Sequence, residues 1–171
     1  MPIKNENEMM MKKLLLCLWA ALAASAVLAQ TLPDVKVENA RGKMVDIRSL
    51  ANGKPAIISF WSLTCKPCIQ ELNAINDNLE DWLADVAFDV IAVSVDDVRQ
   101  KARAKAKADA SGWEFICVYD GNQDLKRAMN VSNTPHSFVV DARGNIVFSH
   151  VGYTPGSEQL LLDAVKNCAQ P

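Results

Sequence analysis

A short stretch in the first half of the chain combines a strand pattern, a pair of cysteines and a helix pattern. The β-branched and aromatic run Ile57-Ile58-Ser59-Phe60-Trp61 predicts a buried strand. Cys65-Lys66-Pro67-Cys68 follows it, and a helical pattern begins at about Pro67. At a helix start the backbone N–H groups and the helix dipole favour a thiolate on the first sulfur. The second cysteine lies one helical turn along, so the pair can close a disulfide, and the arrangement predicts redox chemistry.

The N-terminus predicts export from the cytoplasm. Lys12 and Lys13 precede an apolar run of 16 residues, 14–29, that ends in small side chains. This is the pattern of a secretory signal peptide. Because the run is shorter than the roughly 20 residues that span a bilayer, an uncleaved membrane anchor is the weaker alternative. We predict that residues 1–29 are an N-terminal extension and signal peptide cleaved after Ala29, and that the mature protein is periplasmic.

The mature chain, residues 30–171, is expected to form one domain with enough apolar content for a core. Its formal net charge of −3 does not suggest nucleic acid as a partner. Export places its cysteines where disulfides persist. Four cysteines remain after cleavage: Cys65, Cys68, Cys117 and Cys168.

Periodicity along the mature chain predicts a βαβ half followed by a ββα half. We expect an N-terminal hairpin first, and parallel pairing in the alternating strands and helices that follow. Asp96 and Asp97 are expected to end a strand and to cap the next helix. The predicted strands are 35–38, 44–47, 57–61, 88–95, 113–119, 136–140 and 146–150, and the predicted helices are 67–84, 98–110, 123–129 and 157–167.

Four motifs resemble those of one known family. Phe60-Trp61 lies just ahead of Cys65, Pro67 lies within the cysteine pair, Glu71 comes three residues after Cys68, and Thr134-Pro135 opens the last hairpin. Together they resemble the thioredoxin superfamily, and within it the secreted TlpA/ResA-like thiol–disulfide oxidoreductases, over about residues 32–168. The resemblance implies an α/β thioredoxin fold with a central mixed β-sheet, helices on both faces and an N-terminal β-hairpin extension.

Two positions depart from the family pattern. Thr64 stands immediately before the first cysteine, where the family usually has an aromatic residue. Ser59 replaces the buried aspartate of many cytosolic thioredoxins. In the ResA-like branch, the duty of that acid is implied to fall to Glu71.

The predicted catalytic residues are Cys65, Cys68 and Glu71. Cys65 is the expected nucleophile, which attacks a partner disulfide, and Cys68 is the resolving thiol. A carboxylate at Glu71 whose pKa is raised by burial could relay the proton of Cys68. The alternatives are an inert disulfide or half of a zinc site for the cysteines, and a solvated helix residue for Glu71.

The predicted substrate-binding residues are Trp61, Thr134 and Pro135. The resemblance implies a cis Pro135 against the sulfurs, so that the Thr134 backbone can pair with an extended substrate segment. A plain strand-start proline is the alternative for Pro135. Trp61 is expected to pack beside the active-site turn, and a plain core residue is the alternative.

Other chemistries remain open at this stage. His136 could join the cysteine pair in a copper site, as in a copper chaperone, although we expect no metal. Cys117 and Cys168 could form a second disulfide or remain separate thiols. A peroxiredoxin-type peroxidase would want a Pro-x-x-x-Thr-x-x-Cys environment, which is absent around Cys65. A non-catalytic binding module is a further alternative.

The sequence thus predicts a monomeric thiol–disulfide oxidoreductase that needs no organic cofactor. Its expected partners are protein thiols and disulfides. The resemblance favours a reductant, recharged by a membrane electron-transfer protein and acting on oxidised proteins such as apocytochromes before haem attachment, or in general periplasmic thiol reduction.

Overall fold

The computed structural model describes residues 30–51 and 53–169, so the predicted signal peptide lies outside the described residues. Seven strands and five helices make up this part of the chain. The strands are β1 Lys36–Asn39, β2 Met44–Asp46, β3 Ala56–Trp61, β4 Asp89–Ser94, β5 Ile116–Tyr119, β6 His136–Val140 and β7 Ile146–Val151. The helices are α1 Ile47–Leu50, α2 Lys66–Asp85, α3 Lys101–Ala110, α4 Asp124–Ala128 and α5 Glu158–Ala169.

The strands form one mixed sheet in the order β2-β1-β5-β4-β3-β6-β7. β3, β4 and β5 run parallel, as the alternation of strands and helices predicted. β6 pairs antiparallel with β3, and β7 with β6. The predicted N-terminal hairpin is confirmed as β1 and β2, and it joins the main sheet because β1 pairs with β5.

Helices cover both faces of the sheet, as the resemblance implied. Side chains alternate along β3, so Ile57 packs under α2 and α5 while Ile58 lies in the core of the opposite face. That opposite core includes Ile47 of α1 and Leu125 of α4. Every residue of β3 is buried, which places the strand before the cysteine pair at the centre of the molecule.

Two predicted boundaries were wrong because side chains hold the backbone outside regular structure. α3 begins at Lys101 rather than at residue 98, since Asp97 accepts the N–H groups of Arg99 and Gln100 in a separate turn. β5 begins at Ile116 rather than at residue 113. The Asn76 side chain accepts the Glu114 N–H and so holds that segment against α2.

The short helix α1 was not predicted. Asp46 caps it by accepting the Arg48 N–H at 2.9 Å. Among residues 30–51 and 53–169, no helix has the length and apolar character needed to cross a bilayer.

Candidate active site

The cysteine pair lies where β3 gives way to α2. Cys65 is the N-cap of α2 and is joined to Cys68 by a disulfide, with their Cα atoms 5.3 Å apart. The Cys65 sulfur accepts a hydrogen bond from the Cys68 N–H at 3.2 Å. In the reduced protein the same N–H and the helix dipole face a thiolate, which they stabilise.

The two sulfurs differ in accessibility. Cys65 is partly exposed, whereas Cys68 is fully buried and its sulfur lies 4.0 Å from the Phe60 carbonyl. An incoming disulfide can therefore reach Cys65 and not Cys68. This geometry suits Cys65 to attack a partner and Cys68 to resolve from the protein side.

The turn that presents Cys65 is held from two sides. The Cys65 N–H donates to the Ser62 carbonyl at 3.1 Å and closes the turn. The Leu63 N–H donates to both carboxylate oxygens of Asp96, at 3.0 and 3.2 Å. Thr64, the departure from the family pattern, is exposed on this turn.

Glu71 is a buried carboxyl group with two serine partners. Its side chain is 1% exposed, so the alternative of a solvated helix glutamate is wrong. The hydroxyls of Ser59 and Ser137 lie 2.9 and 2.8 Å from its Oε2 atom. Burial raises the pKa of Glu71, the two serine hydrogen bonds oppose that rise, and the charge of Glu158 adds to it.

The hydrogen-bonded cluster of Glu71, Ser59 and Ser137 can exist in two protonation states. Ser59 Oγ and Ser137 Oγ are also 2.9 Å apart, so each pair of oxygens is within hydrogen-bond distance. Two hydroxyl protons can both be donated to an ionised Glu71. A protonated Glu71 supplies a third proton, which lets all three oxygen pairs be bonded in a ring. The cluster can therefore take up or release a proton without leaving a charge wholly unpartnered.

The Thr134-Pro135 peptide is cis, as the resemblance implied. His136 pairs with Phe60 in the antiparallel register of β6 and β3. The segment before His136 and the turn after Trp61 therefore leave the sheet at the same edge. Among the described residues, Ser132, Asn133 and Thr134 make no protein hydrogen bond.

Trp61 does not contact solvent. Its side chain is fully buried and packs edge to face against Trp113, with ring centroids 5.1 Å apart. The predicted role of Trp61 in substrate binding stays a prediction. Its ring belongs to the core cluster against which Leu63 and Cys65 of the active-site turn pack.

A metal site is not assembled in the part of the chain that the structure describes. No group of three or more His, Cys, Asp or Glu side chains there is arranged to hold a metal ion. His136, the proposed copper ligand, instead places its Nε2 atom 2.8 Å from the Ser149 hydroxyl. The alternatives of a zinc or copper site at the cysteine pair thus gain no support from the geometry.

Cys117 and Cys168 are free thiols. Of the two alternatives that the sequence left open, the structure therefore has separate thiols and not a second disulfide. Cys117 packs with the core cluster around Trp61, whereas Cys168 packs against the cluster under α2 and α5. Burial, with a smaller effect of the Asp109 charge, raises the pKa of Cys117 to about 11.

Two residues of the site were missed by sequence reasoning. Ser137 lies 66 positions from Glu71, and only its place two residues after the Thr134-Pro135 motif could have suggested it. Asp96 was expected to cap a helix but instead binds Leu63, 33 positions earlier. Both contacts depend on which strands are neighbours in the sheet.

A disulfide at the first turn of a helix, at the same edge of a mixed sheet as a cis X-Pro peptide, is typical of thiol–disulfide oxidoreductases of the thioredoxin fold. The chain belongs to the AhpC/TSA family, with a match over residues 28–149. This membership, the relatives described next and the site geometry agree with the resemblance seen in the sequence.

Similar curated proteins carry names of the same activity. The thiol:disulfide interchange protein DsbE of Vibrio cholerae is 29% identical over 130 residues, which cover 75% of this chain and 67% of that protein. The thiol-disulfide oxidoreductase ResA of Bacillus anthracis is 27% identical over 120 residues, 70% of this chain and 67% of that protein. The chain is thus an enzyme of the DsbE/ResA type of thiol–disulfide oxidoreductases.

Solved structures agree on the fold. A thioredoxin-like protein of Porphyromonas gingivalis is 44% identical, with a TM-score of 0.73, covering 81% of this chain and 92% of that one. Peroxiredoxin Q of Xanthomonas campestris is 19% identical, with a TM-score of 0.69, covering 84% and 98%. At that identity the second likeness concerns the fold alone.

Proposed function

We propose that the mature protein is an extracytoplasmic reductant of disulfides in other proteins, with Cys65 as nucleophile, Cys68 as resolving thiol and Glu71 as proton relay. The observation that carries this proposal is the buried, serine-bound carboxyl group of Glu71, one helical turn after the buried Cys68. A buried carboxyl of raised pKa near a buried thiol is suited to accept the proton that the thiol must lose.

In the first step the Cys65 thiolate attacks one sulfur of a substrate disulfide. A new bond forms between Cys65 and that sulfur, and the substrate S–S bond breaks. The departing substrate sulfur leaves as a thiolate and takes a proton from solvent. The partial exposure of Cys65 and the hydrogen bond from the Cys68 N–H to its sulfur support this role.

In the second step Cys68 resolves the mixed disulfide. Its thiol gives its proton to the ionised Glu71 carboxylate, and the resulting thiolate attacks the Cys65 sulfur. The Cys65–Cys68 bond forms and the second substrate thiolate leaves. The substrate has gained two electrons and the cysteine pair has lost two, which an external dithiol must replace.

The substrate segment is proposed to bind beside the turn at the Thr134 backbone. Residues 132–134 leave their backbone groups without protein partners, and they lie at the same sheet edge as Cys65. An extended segment can pair with such groups by main-chain hydrogen bonds. Pro135 supports this segment, and its carbonyl is already occupied by the Gly152 N–H at 2.9 Å.

The location is proposed from the N-terminal sequence, and the partners are proposed from the resemblance to the ResA-like branch. Residues 1–29 are proposed to be removed after Ala29, leaving residues 30–171 as one domain in the periplasm. There the oxidised enzyme is proposed to be recharged by a membrane electron-transfer protein. Apocytochromes awaiting haem are one proposed class of substrate, since their cysteines must be reduced before haem attachment.

The direction of electron flow is tested by the redox potential of the Cys65/Cys68 couple, measured at equilibrium with glutathione. A reductant should lie near the thioredoxin value of about −270 mV, and an oxidant near the DsbA value of about −120 mV. Measuring Glu71→Gln alongside the wild type tests the relay, because its rate of insulin reduction should fall at neutral pH. An oxidising potential would overturn the reductant role, and an unchanged rate would remove Glu71 from the mechanism.

A peroxidase is the second candidate. Peroxiredoxin Q shares the fold of this chain, and a shared fold by itself does not distinguish a peroxidase from a disulfide exchanger. Against it, Ile58 and Ser62 stand where the Pro and Thr of the Pro-x-x-x-Thr-x-x-Cys pattern would precede Cys65. Hydrogen peroxide consumption by the reduced protein distinguishes the two, since the oxidoreductase should consume peroxide far more slowly than it reduces insulin.

A further inference from the structure

We propose that Asp96 is a positioning residue for Cys65, because its carboxylate ties the turn that presents the nucleophile to the neighbouring strand β4. The proposal builds on the function proposed above and concerns the same site. It assigns to Asp96 a part in aiming the Cys65 sulfur at a substrate disulfide.

The tie begins where the backbone ladder between β3 and β4 ends. Trp61 pairs with Ser94 in the parallel register, and the Val95 N–H donates to the Trp61 carbonyl at 2.9 Å. Beyond this bond the side chain of Asp96 continues the link. Both of its oxygens accept the Leu63 N–H, two residues before the nucleophile.

Asp96 is itself held in place. The hydroxyl of Ser94, a side chain only 1% exposed, donates to the Asp96 Oδ2 atom at 2.9 Å. The Asp96 N–H donates back to the Ser94 hydroxyl oxygen at 3.3 Å. The carboxylate group is therefore anchored to a buried serine.

The neighbouring Asp97 shows that Asp96 is not needed to start the next helix. Asp97 accepts the N–H groups of Arg99 and Gln100 and pairs with the Arg99 side chain. It makes no hydrogen bond to residues 62–65 in the part of the chain that the structure describes. Asp97 thus binds the turn before α3, and Asp96 binds the active-site turn.

Loss of the Asp96 contact should affect how a docked substrate meets Cys65, and not the reactivity of the Cys65 thiol. A substrate disulfide bound at residues 132–134 must meet the Cys65 sulfur along a fixed line, since exchange requires three sulfurs to align. If the Leu63 N–H loses its acceptor, the turn can shift relative to β4 and β6. Attack on a docked protein should slow, while attack on a small freely diffusing reagent should not.

The test uses the reduced mature protein and four variants. Asp96→Ala removes the acceptor, Asp96→Asn keeps an acceptor without the charge, and Asp97→Asn is the matched charge control. Ser94→Ala leaves Asp96 present but removes its anchor. For each protein, the rate of Cys65 attack on insulin and on iodoacetamide is measured against pH, and rates are compared on the alkaline plateau, where Cys65 is fully ionised.

We expect Asp96→Ala to lose about tenfold in the plateau rate with insulin, as for a misplaced reacting group whose supporting N–H has lost its acceptor. Its plateau rate with iodoacetamide should stay within about twofold of the wild type, because that reagent needs no docking. Asp96→Asn and Asp97→Asn should stay within about twofold in both reactions, and Ser94→Ala should lose about threefold with insulin.

Four results would overturn the proposal. An Asp96→Asn variant as slow as Asp96→Ala would assign the effect to charge, and equal losses with insulin and iodoacetamide would assign it to the thiol. Loss in Asp97→Asn as large as in Asp96→Ala would make it a general surface effect. If Asp96→Ala does not fold, as thermal melting would reveal, Ser94→Ala decides, and a wild-type insulin rate then refutes the tie. The redox potential tests the proposed reductant role separately, because these rates do not depend on the direction of electron flow in the cell.

Discussion

The Ser137 hydroxyl lies 2.8 Å from the Glu71 carboxyl, so the last hairpin of the chain is hydrogen-bonded to the helix that begins at the cysteine pair. Ser137 comes two residues after the cis Pro135, and Glu71 three residues after Cys68. One hydrogen bond therefore connects the proposed substrate-binding segment with the proposed proton relay. The Ser59 hydroxyl, from β3 between them, completes the cluster.

Replacing Glu71 by Gln should stabilise the oxidised protein at high pH. Burial raises the pKa of Glu71 above its ordinary value of 4.5, so the folded protein keeps this proton after the unfolded chain has lost it. The resulting stability is fully present below pH 4.5 and declines as pH rises through the folded pKa. Each pH unit of elevation corresponds to about 1.4 kcal/mol, and the amide of the variant does not titrate.

The free energy of unfolding, measured at pH 4 and pH 8, checks this prediction. The advantage of Glu71→Gln over the wild type should grow with pH. Glu80→Gln, an exposed position on the same helix, is the matched control and should show no such trend. A difference that is constant with pH would contradict a raised pKa.

Ser137→Ala should raise the pKa of Glu71 further. The serine hydroxyl favours the ionised carboxylate, and its loss leaves Ser59 as the remaining donor of the pair. The pKa should rise because the folded protein loses one of the two hydrogen bonds that stabilise the ionised carboxylate. A ¹³C NMR titration of the Glu71 carboxyl measures it directly. Ser149→Ala, beside His136 on the exposed part of β7, should leave the titration unchanged.

Cys68→Ser should trap a covalent complex with a disulfide substrate. The partly exposed Cys65 can still form the mixed disulfide, but no thiol remains behind it to resolve the bond. After reaction with insulin, a non-reducing gel and intact mass should show the adduct. Cys65→Ser is the matched control, since the remaining Cys68 is fully buried and should form at least about tenfold less adduct. Equal trapping would reverse the assignment of the two sulfurs.

Cys117 should react with iodoacetamide far more slowly than Cys168 in the folded protein. Burial raises the pKa of Cys117 to about 11. At pH 8 this leaves about one thiol in a thousand ionised, and the thiolate is the reactive form. Peptide mapping after brief labelling should find Cys168 modified at least about tenfold faster.

Labelling in denaturant without a reductant provides the control for these two thiols. Both should then be modified at similar rates, since both are free in the folded protein. Failure of both to react under these conditions would reveal a disulfide between them.

The local elements of the fold could be read from the sequence because each has its own signature. The β-branched run of β3, the cysteine pair and the helical pattern of α2 are adjacent, and the predicted helix 67–84 is found at Lys66–Asp85. Thr134-Pro135 likewise marks the start of the last hairpin. Element ends were less predictable, since Asp97 and Asn76 bind backbone groups that regular structure would otherwise use.

The sequence by itself determined the chemistry of the site, in that two cysteines one turn apart at a helix start predict disulfide exchange. The tertiary structure decided which side chains surround the cysteine pair and the turn before it. Glu71 is buried because β3 and β6 are neighbours beneath α2, and its partners Ser59 and Ser137 lie 12 and 66 positions away. Asp96 reaches Leu63 because parallel strands β3 and β4 end at one edge. Such contacts leave no periodic trace in a chain, since burial and hydrogen-bond partners follow from which strands pair.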